Sequence, residues 1–364
     1  MREVFDIAVI GAGMAGASLA AELAPHARVL LIEAEDRPGY HTTGRSAAFW
    51  DECYGGPDIV PLTVASGPYL REHGFLSPRG GLYLGRESDA AALDAFMERF
   101  AHTGIEIHRL GRAEVAKLIP GLRPEWTGAV SEPASADIDV AGLHQQYLAR
   151  ASRSGVTLAL RARLAAAERE GDGWRLASER GEEWRAGVLV NAAGAWADSV
   201  AALAGAKTLG IKPMLRTVVQ LRTDPAPPST LPLTLDIRGS FYFKPESGRL
   251  WLSPHDETPC DPCDAAPEEL AVAEAIDRFE RVVDWRIEAV ERRWAGLRSF
   301  APDRLPVYGF APEREGFFWF AGQGGFGIQT APAAARLAAQ TILGLPRDAM
   351  TDKLDAALYS PERF

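Results

Sequence analysis

The sequence predicts an α/β fold of two domains, one Rossmann-type with a largely parallel sheet and one built on a mixed, mostly antiparallel sheet. Three observations predict it. The chain opens with a strand, a glycine-rich turn, a helix and a second strand ending at Glu33, the order of a βαβ unit. Residues 211–253 change to short strands rich in β-branched and aromatic side chains, the mark of a separate sheet. The length, 364 residues, exceeds what one hydrophobic core usually organises.

Each element has its own signal. Residues 6–10 are a continuous apolar run, as in a buried parallel strand. The glycine turn at 11–16 leads into 17–24, rich in helix formers and stopped by Pro25. Residues 28–32 are a second apolar strand. The middle of the chain is more irregular: 89–101 and 139–153 read as helices, and 156–168 with 174–178 as a β-meander broken at Gly171-Asp172-Gly173. Residues 188–190 form a strand entering Asn191-Ala192-Ala193-Gly194, followed by a helix through Leu203. Strands are expected at 217–222, 231–237, 240–244 and 250–253, and an amphipathic helix at 267–283. A last strand at 317–321, a glycine turn and a helix at 330–343 close the pattern.

Composition narrows the function. A net charge of −10 without any run of Lys or Arg argues against nucleic acid as a partner, while leaving room for a local basic pocket. Three cysteines, Cys53, Cys260 and Cys263, give no disulfide framework, and the lone CxxC at 260–263 lacks the second pair a zinc site needs. No metal site is expected. Glu3 and Asp6 stand where a signal peptide rarely carries acid, and no run approaches ~18 apolar residues. The expectation is a cytoplasmic chain that does not span a membrane.

Gly11-Ala12-Gly13-Met14-Ala15-Gly16 matches GxGxxG, a weak motif alone. Here it follows a strand, opens a helix and precedes Glu33, with Ala34 beside it, at the end of the next strand. That context is what dinucleotide binding demands. Gly11 permits the tight turn, Gly13 the approach of a pyrophosphate, and Gly16 close helix–strand packing. The helix start offers N–H groups and partial positive charge to a diphosphate. Glu33 would accept from ribose hydroxyls, and its charge disfavours a 2′-phosphate. The loop containing Thr42, Thr43, Gly44, Arg45 and Ser46 suits a path beside a phosphate and a ring system. Near the C-terminus, Gly322-Gln323-Gly324-Gly325-Phe326-Gly327-Ile328-Gln329-Thr330 links a strand to a helix. So many glycines imply close backbone approach to a flat group, and the helix start there would stabilise negative charge on a reduced flavin.

These residues, with segments 38–48, 128–139, 189–196, 240–242, 294–300 and 324–329, resemble the FAD-dependent amine and D-amino acid oxidoreductase family. Glycine oxidase, sarcosine oxidase and D-amino acid dehydrogenases belong to it, and the bacterial D-arginine dehydrogenases are the most similar branch. The resemblance implies an FAD-binding domain over 1–80, 140–210 and 300–364, and a substrate-binding domain over 81–139 and 211–299. It adds Ala48, Leu164, Ala193, Gly194 and Trp196 as cofactor contacts, together with Gly325, Phe326, Gly327, Ile328 and Gln329. FAD is expected to be non-covalent, because no cysteine follows Cys263 to tether it.

The resemblance also implies that Arg216 and Arg298 hold a substrate carboxylate, with Tyr54 and Tyr242 as active-site tyrosines. An arginine fork suits a carboxylate. One of Phe241 and Tyr242, adjacent in a strand, should face the pocket. Phe49, Gly81, Leu233, Leu235, Gly325 and Gln329 would line it. Gly81 stands where D-arginine dehydrogenase has the glutamate that pairs with a cationic side chain, and Phe49 where it has a histidine. The expected reaction is therefore oxidative deamination of neutral or hydrophobic D-amino acids to 2-oxo acids and ammonia, with hydride leaving Cα. Asp51, Glu52 or Asp236 could return an acid from elsewhere. The electron acceptor, quinone or oxygen, is not fixed by the sequence. A glycine or sarcosine-type oxidase and a non-catalytic flavin-binding subunit are the alternatives.

Overall fold

The structure, a computed structural model, describes residues 4–47 and 49–364. The strand Val4–Ile10 lies between two parallel neighbours, Val29–Ile32 and Glu183–Asn191. Thr157–Ala159 extends this sheet in parallel beyond Val29–Ile32, and Phe317–Ala321 pairs in parallel with Glu183–Asn191. Antiparallel additions, Leu164–Glu170, Gly173–Ser178 and Val307–Phe310, complete an eight-stranded sheet among the described residues. The opening strand is buried on both faces, which is why it reads as a continuous apolar run. Ile7 and Val9 join the core under the helices Met14–Leu23, Val140–Arg153 and Ala331–Leu343, whereas Ala8 and Ile10 join the core on the opposite face. Gly16 permits that closeness: a Cβ there would stand 1.8 Å from the Gly11 carbonyl oxygen.

The second sheet has ten strands among the described residues. Its spine is the antiparallel pair Lys212–Asp224 and Arg286–Phe300, with two register shifts. Arg249–Ser253, Tyr242–Glu246, Leu233–Asp236, Gly81–Arg86, Trp126–Glu132 and His108–Gly111 follow on one side. The join of Leu233–Asp236 to Gly81–Arg86 is parallel, so the sheet is mixed but mostly antiparallel, as expected. The helix Glu269–Glu280 covers one face with Val272, Ala275 and Phe279. Gln323–Gly324 adds a short strand from the chain's return, opposite Ser299 and Phe300. A small three-stranded sheet of Phe49–Trp50, Leu76–Pro78 and Ala136–Ile138 sits apart.

The structure holds two elements the sequence pattern hides. The helix Val60–Glu72 contains Pro61 in its first turn, where proline is tolerated, and Pro68 inside, where proline normally argues against a helix. Its buried Leu62, Ser66 and Leu70 dock on the C-terminal helix, and that packing outweighs the lost backbone bond. The strand Arg286–Phe300 is masked in its first half by charge, since Glu288, Glu291, Arg292 and Arg293 face solvent or nearby ion pairs. No helix among the described residues is long and apolar enough to cross a membrane.

Candidate active site

A cavity of about 390 Å³ opens along the seam between the two large sheets. Three groups of residues line it. Gly11, Gly13, Met14 and Ala15 come from the first turn. Glu33, Ala34, Leu164, Ala193, Gly194 and Trp196 come from strand ends of the first sheet. Arg216, Tyr242 and Arg298 come from the second sheet, beside Gly325, Gly327 and Ile328. Thr42, Thr43, Arg45 and Ser46 pass between them. Strand ends of a parallel sheet are where such folds place ligands.

The first turn is held by side chains from distant loops. The Ala12 N–H donates to Glu33 Oε2 at 2.8 Å, and the Met14 N–H donates to Thr43 Oγ1 at 2.9 Å. The helix start is therefore less bare than its sequence suggests, and Gly13 and Ala15 remain on the cavity wall for an anion. His144, which the sequence reading passed over, donates from Nε2 to the Ala12 carbonyl at 2.9 Å. Burial holds its imidazole below the usual histidine range, a neutral donor beneath the loop. The Asn191 side chain shapes the next turn, donating to the Ala197 carbonyl at 2.7 Å and accepting the Ala193 N–H at 3.3 Å.

The loop through Ser46 ties the two halves together. Thr42 Oγ1 donates to the Leu297 carbonyl at 2.7 Å. The Arg45 guanidinium is committed to Asp264 and to the Ala265 carbonyl, so its contribution to the cavity wall is not a free charge. The expected contact at Ala48 falls outside the described residues.

The arginines converge from adjacent strands. Arg216 pairs in register with Gly296, and Met214 with Arg298, so both side chains rise from one face of the sheet. Alternation on a third strand puts Tyr242 on the cavity and Phe241 in the core behind. Arg216 is 3% exposed. Its Nε donates to the Asp256 carbonyl at 2.8 Å and its Nη2 reaches Glu257 at 3.2 Å, while Nη1 is buried without a partner. Burial, then repulsion from Arg298, lowers its pKa to about 10. Arg298 donates to the Tyr54 hydroxyl, and no carboxylate among the described residues forms an ion pair with it. Burial opposes its charge, but the nearby Tyr54, Tyr242, Glu257 and Asp256 outweigh that and hold it above the usual guanidinium range.

Several expected residues stand behind the wall rather than on it. Gln329 is 2% exposed, and its amide donates to the Asp51 and Tyr54 carbonyls and to Thr63 Oγ1 while accepting the Asp51 N–H. Phe326 packs against Phe300 and Ile59. Gly44 shapes the loop from behind: its N–H donates to the Gly39 carbonyl at 2.8 Å, and a Cβ would meet that same oxygen at 2.7 Å. Phe49 backs the two tyrosines, its ring 5.1 Å from Tyr54 and 5.8 Å from Tyr242. Leu233 and Leu235 share that apolar cluster. A Cβ on Gly81 would meet Ser135 Oγ at 2.5 Å and Asp51 Oδ2 at 3.0 Å, so a side chain there would have to displace those two groups. Asp51 is tied to Tyr83 and Ser135, and Asp236 to Ser240. Neither acid lines the cavity.

The family described as DAO, FAD dependent oxidoreductase, matches residues 6–341, and the chain belongs to it. Among curated proteins, hydrogen cyanide synthase subunit HcnC of Pseudomonas aeruginosa is 24% identical over 385 residues, covering 91% of this chain and 90% of its own. Among solved structures, glycine oxidase from Geobacillus kaustophilus superposes with a TM-score of 0.86 at 24% identity, covering 100% of each chain. L-proline dehydrogenase from P. horikoshii gives 0.86 at 24% identity, covering 100% of this chain and 98% of its own. These structural likenesses show the fold.

FAD is the cofactor of this family, and the residues present fit it. Gly11, Gly13 and Ala15 of the first turn and the Glu33 carboxylate lie on the cavity wall, where they offer backbone N–H groups to a diphosphate and an acceptor to a ribose, together with Gly325 and Gly327 of the second glycine turn. Cys53, Cys260 and Cys263 are free thiols and none lines the cavity, which supports non-covalent binding. Acid precipitation of the yellow protein should leave all flavin absorbance in the supernatant. Colour retained in the pellet would require a covalent tether.

Proposed function

We propose that this chain oxidises the carbon–nitrogen bond of neutral or hydrophobic D-amino acids as an FAD-dependent dehydrogenase, within the branch that includes the D-arginine dehydrogenases but without their preference for a cationic side chain. The observation that carries the reading is Arg298, a cation on the cavity wall with no carboxylate partner among the described residues, beside the unpartnered Arg216 Nη1. Two such donors call for an anionic guest, and a carboxylate matches them in shape and charge.

Bound FAD supplies the two-electron acceptor. The protein's own contribution is orientation. Arg298, on the cavity wall with Arg216 and Tyr242, grips the carboxylate, and the Tyr54 hydroxyl backs Arg298 from behind. The only acids on the cavity wall, among the described residues, are Glu33 and Glu35, beside the first turn. Asp256 and Glu257 lie near Arg298 but are bound by Thr217, Arg216 and Arg304 and do not line the cavity, so the substrate amine is favoured in its neutral form, whose lone pair assists departure of the Cα hydride. The same lack of an acid supports neutral side chains, since Asp51 and Asp236 are tied elsewhere. An imino acid leaves and water hydrolyses it.

An anaerobic reduction series decides the matter, with D-amino acids, L-amino acids and glycine scored by bleaching of the flavin. D-methionine, D-leucine and D-phenylalanine should reduce the flavin at least about tenfold faster than D-arginine, the discrimination a missing counter-charge produces. Faster bleaching by D-arginine would overturn the side-chain assignment. The second reading, an oxidase of glycine or a secondary amine, is supported by the glycine oxidase and L-proline dehydrogenase that share the fold. It would be chosen if glycine or proline bleached the flavin fastest and aerobic turnover released peroxide.

A further inference from the structure

Tyr54 does not reach Arg298 by the geometry of a regular element. It sits in a loop of bends and turns between the short strand Phe49–Trp50 and the helix Val60–Glu72. A loop this close to a binding site needs outside support for its backbone polar groups. The support comes from two directions. Glu132, at the end of the strand Trp126–Glu132 and 0% exposed, accepts the Glu52 N–H through Oε1 at 2.6 Å and the Cys53 N–H through Oε2 at 3.2 Å. Gln329, from the turn before the last helix, accepts the Asp51 N–H and donates to the Asp51 and Tyr54 carbonyls. One clamp belongs to the second sheet and the other to the C-terminal return, so the loop's position reports on both.

Glu132 also interacts through its side chain with Asp51 and with the Cys53 thiol. Its carboxyl lies with Asp51 and Cys53 in a fully buried group whose polar atoms are within 4.8 Å of one another. Asp51 in turn accepts from Tyr83 at 2.6 Å and from Ser135 at 2.8 Å. Burial first, then the charge of Asp51, holds the Glu132 carboxyl well above the usual carboxylate range, and the two backbone N–H groups pull the other way. Burying such a group costs stability unless its bonds are used. Its two bonds to backbone N–H groups fall on the two residues preceding Tyr54. Tolerance at the far end is tight too: a Cβ on Gly325 would stand 2.5 Å from the Tyr54 hydroxyl and 2.9 Å from Arg298 Nη1.

We infer that Glu132, with Gln329 as its counterpart, is a positioning residue that sets the Tyr54 hydroxyl against Arg298 and so presents the arginine to the substrate carboxylate. The inference rests on the carboxylate-binding reading above. Neither residue touches the substrate; both act through the loop backbone.

The test uses the flavin-loaded protein and two readouts: the dissociation constant of benzoate, a monocarboxylate without an amine, from its perturbation of the flavin spectrum, and the kcat and KM of the best substrate. Glu132→Gln keeps the size but faces one of the two N–H groups with an amide donor. It should weaken benzoate and raise KM by about tenfold, with a smaller change in kcat. In a Tyr54→Phe background the same substitution should change them less than about twofold, since groups that act as a unit are non-additive. An equal effect in both backgrounds, or none in either, overturns the inference. Gln329→Met is the second variant, with the same expectations, should Glu132→Gln not accumulate. If neither yields flavin-loaded protein, both residues are supports of the fold at large and the inference fails. Wild-type protein that binds FAD but not benzoate, and is reduced by no amino acid, would instead overturn the carboxylate reading itself.

Discussion

Arg298→Met is expected to lower kcat/KM by about 10²–10³-fold while the protein stays yellow. The estimate is the loss of a charge-assisted, bidentate grip in a partly desolvated site, about 3–4 kcal/mol, at about 1.4 kcal/mol per decade. The structure makes the substitution clean. Arg298 has Tyr54 as its hydrogen-bonded neighbour and no ion-pair partner among the described residues, so its removal strands no carboxylate. Arg216 offers a poorer test, because its Nε and Nη2 hold the Asp256 carbonyl and Glu257, and Glu257 is also bound by Arg304. Steady-state kinetics with the flavin content measured in parallel gives the answer. A change of less than about threefold in kcat/KM, roughly 0.6 kcal/mol on the same scale, would remove Arg298 from the binding site.

Gly11→Ala is expected to give colourless protein destabilised by at least about 3 kcal/mol, the sum of a disfavoured backbone angle and a clash that cannot relax. Gly11 has φ +98°, a region L side chains rarely enter. Its Cβ would lie 2.6 Å from the Ala192 carbonyl oxygen and 3.1 Å from the carbonyl carbon, both backbone atoms of the turn after the strand Glu183–Asn191. Relief would force apart two turns that line the cavity. Gly194 supplies the comparison. Its φ is +56°, but nothing lies within 4 Å of a Cβ there. Gly194→Ala should therefore cost about 1 kcal/mol, the backbone term alone. Denaturant melts and the flavin absorbance of purified protein would test both. A yellow Gly11→Ala protein with unchanged stability would contradict the account.

The first βαβ unit was legible because each of its signals is local: apolar run, glycine turn, helix formers, then an acid at the strand end. Strand alternation said only that one of Phe241 and Tyr242 should face the cavity, and the family resemblance, not the pattern, pointed to Tyr242. Gln329 was not legible. A polar residue among glycines looks like a ligand contact, yet its amide is used up on Asp51, Tyr54 and Thr63. Those partners lie more than 260 residues away in sequence, and no local pattern encodes such a pairing. Glu132 and His144 were missed for the same reason: a lone acid and a lone histidine carry no spacing signal. Asp256 and Glu257, which restrict Arg216, sit in an irregular stretch with no periodicity to read. Proline in Val60–Glu72 and charge in Arg286–Phe300 hid two elements whose formation is decided by packing and by a long partner strand.

The short strand Gln323–Gly324 follows directly on Phe317–Ala321, yet the two belong to different sheets. Eight consecutive residues thus act as a rivet through both layers, and Thr42 on Leu297 and Trp294 on Arg45 fasten the same seam nearby. A clamshell motion would have to shear these bonds. The two plates are thus bolted together along the edge of the cavity.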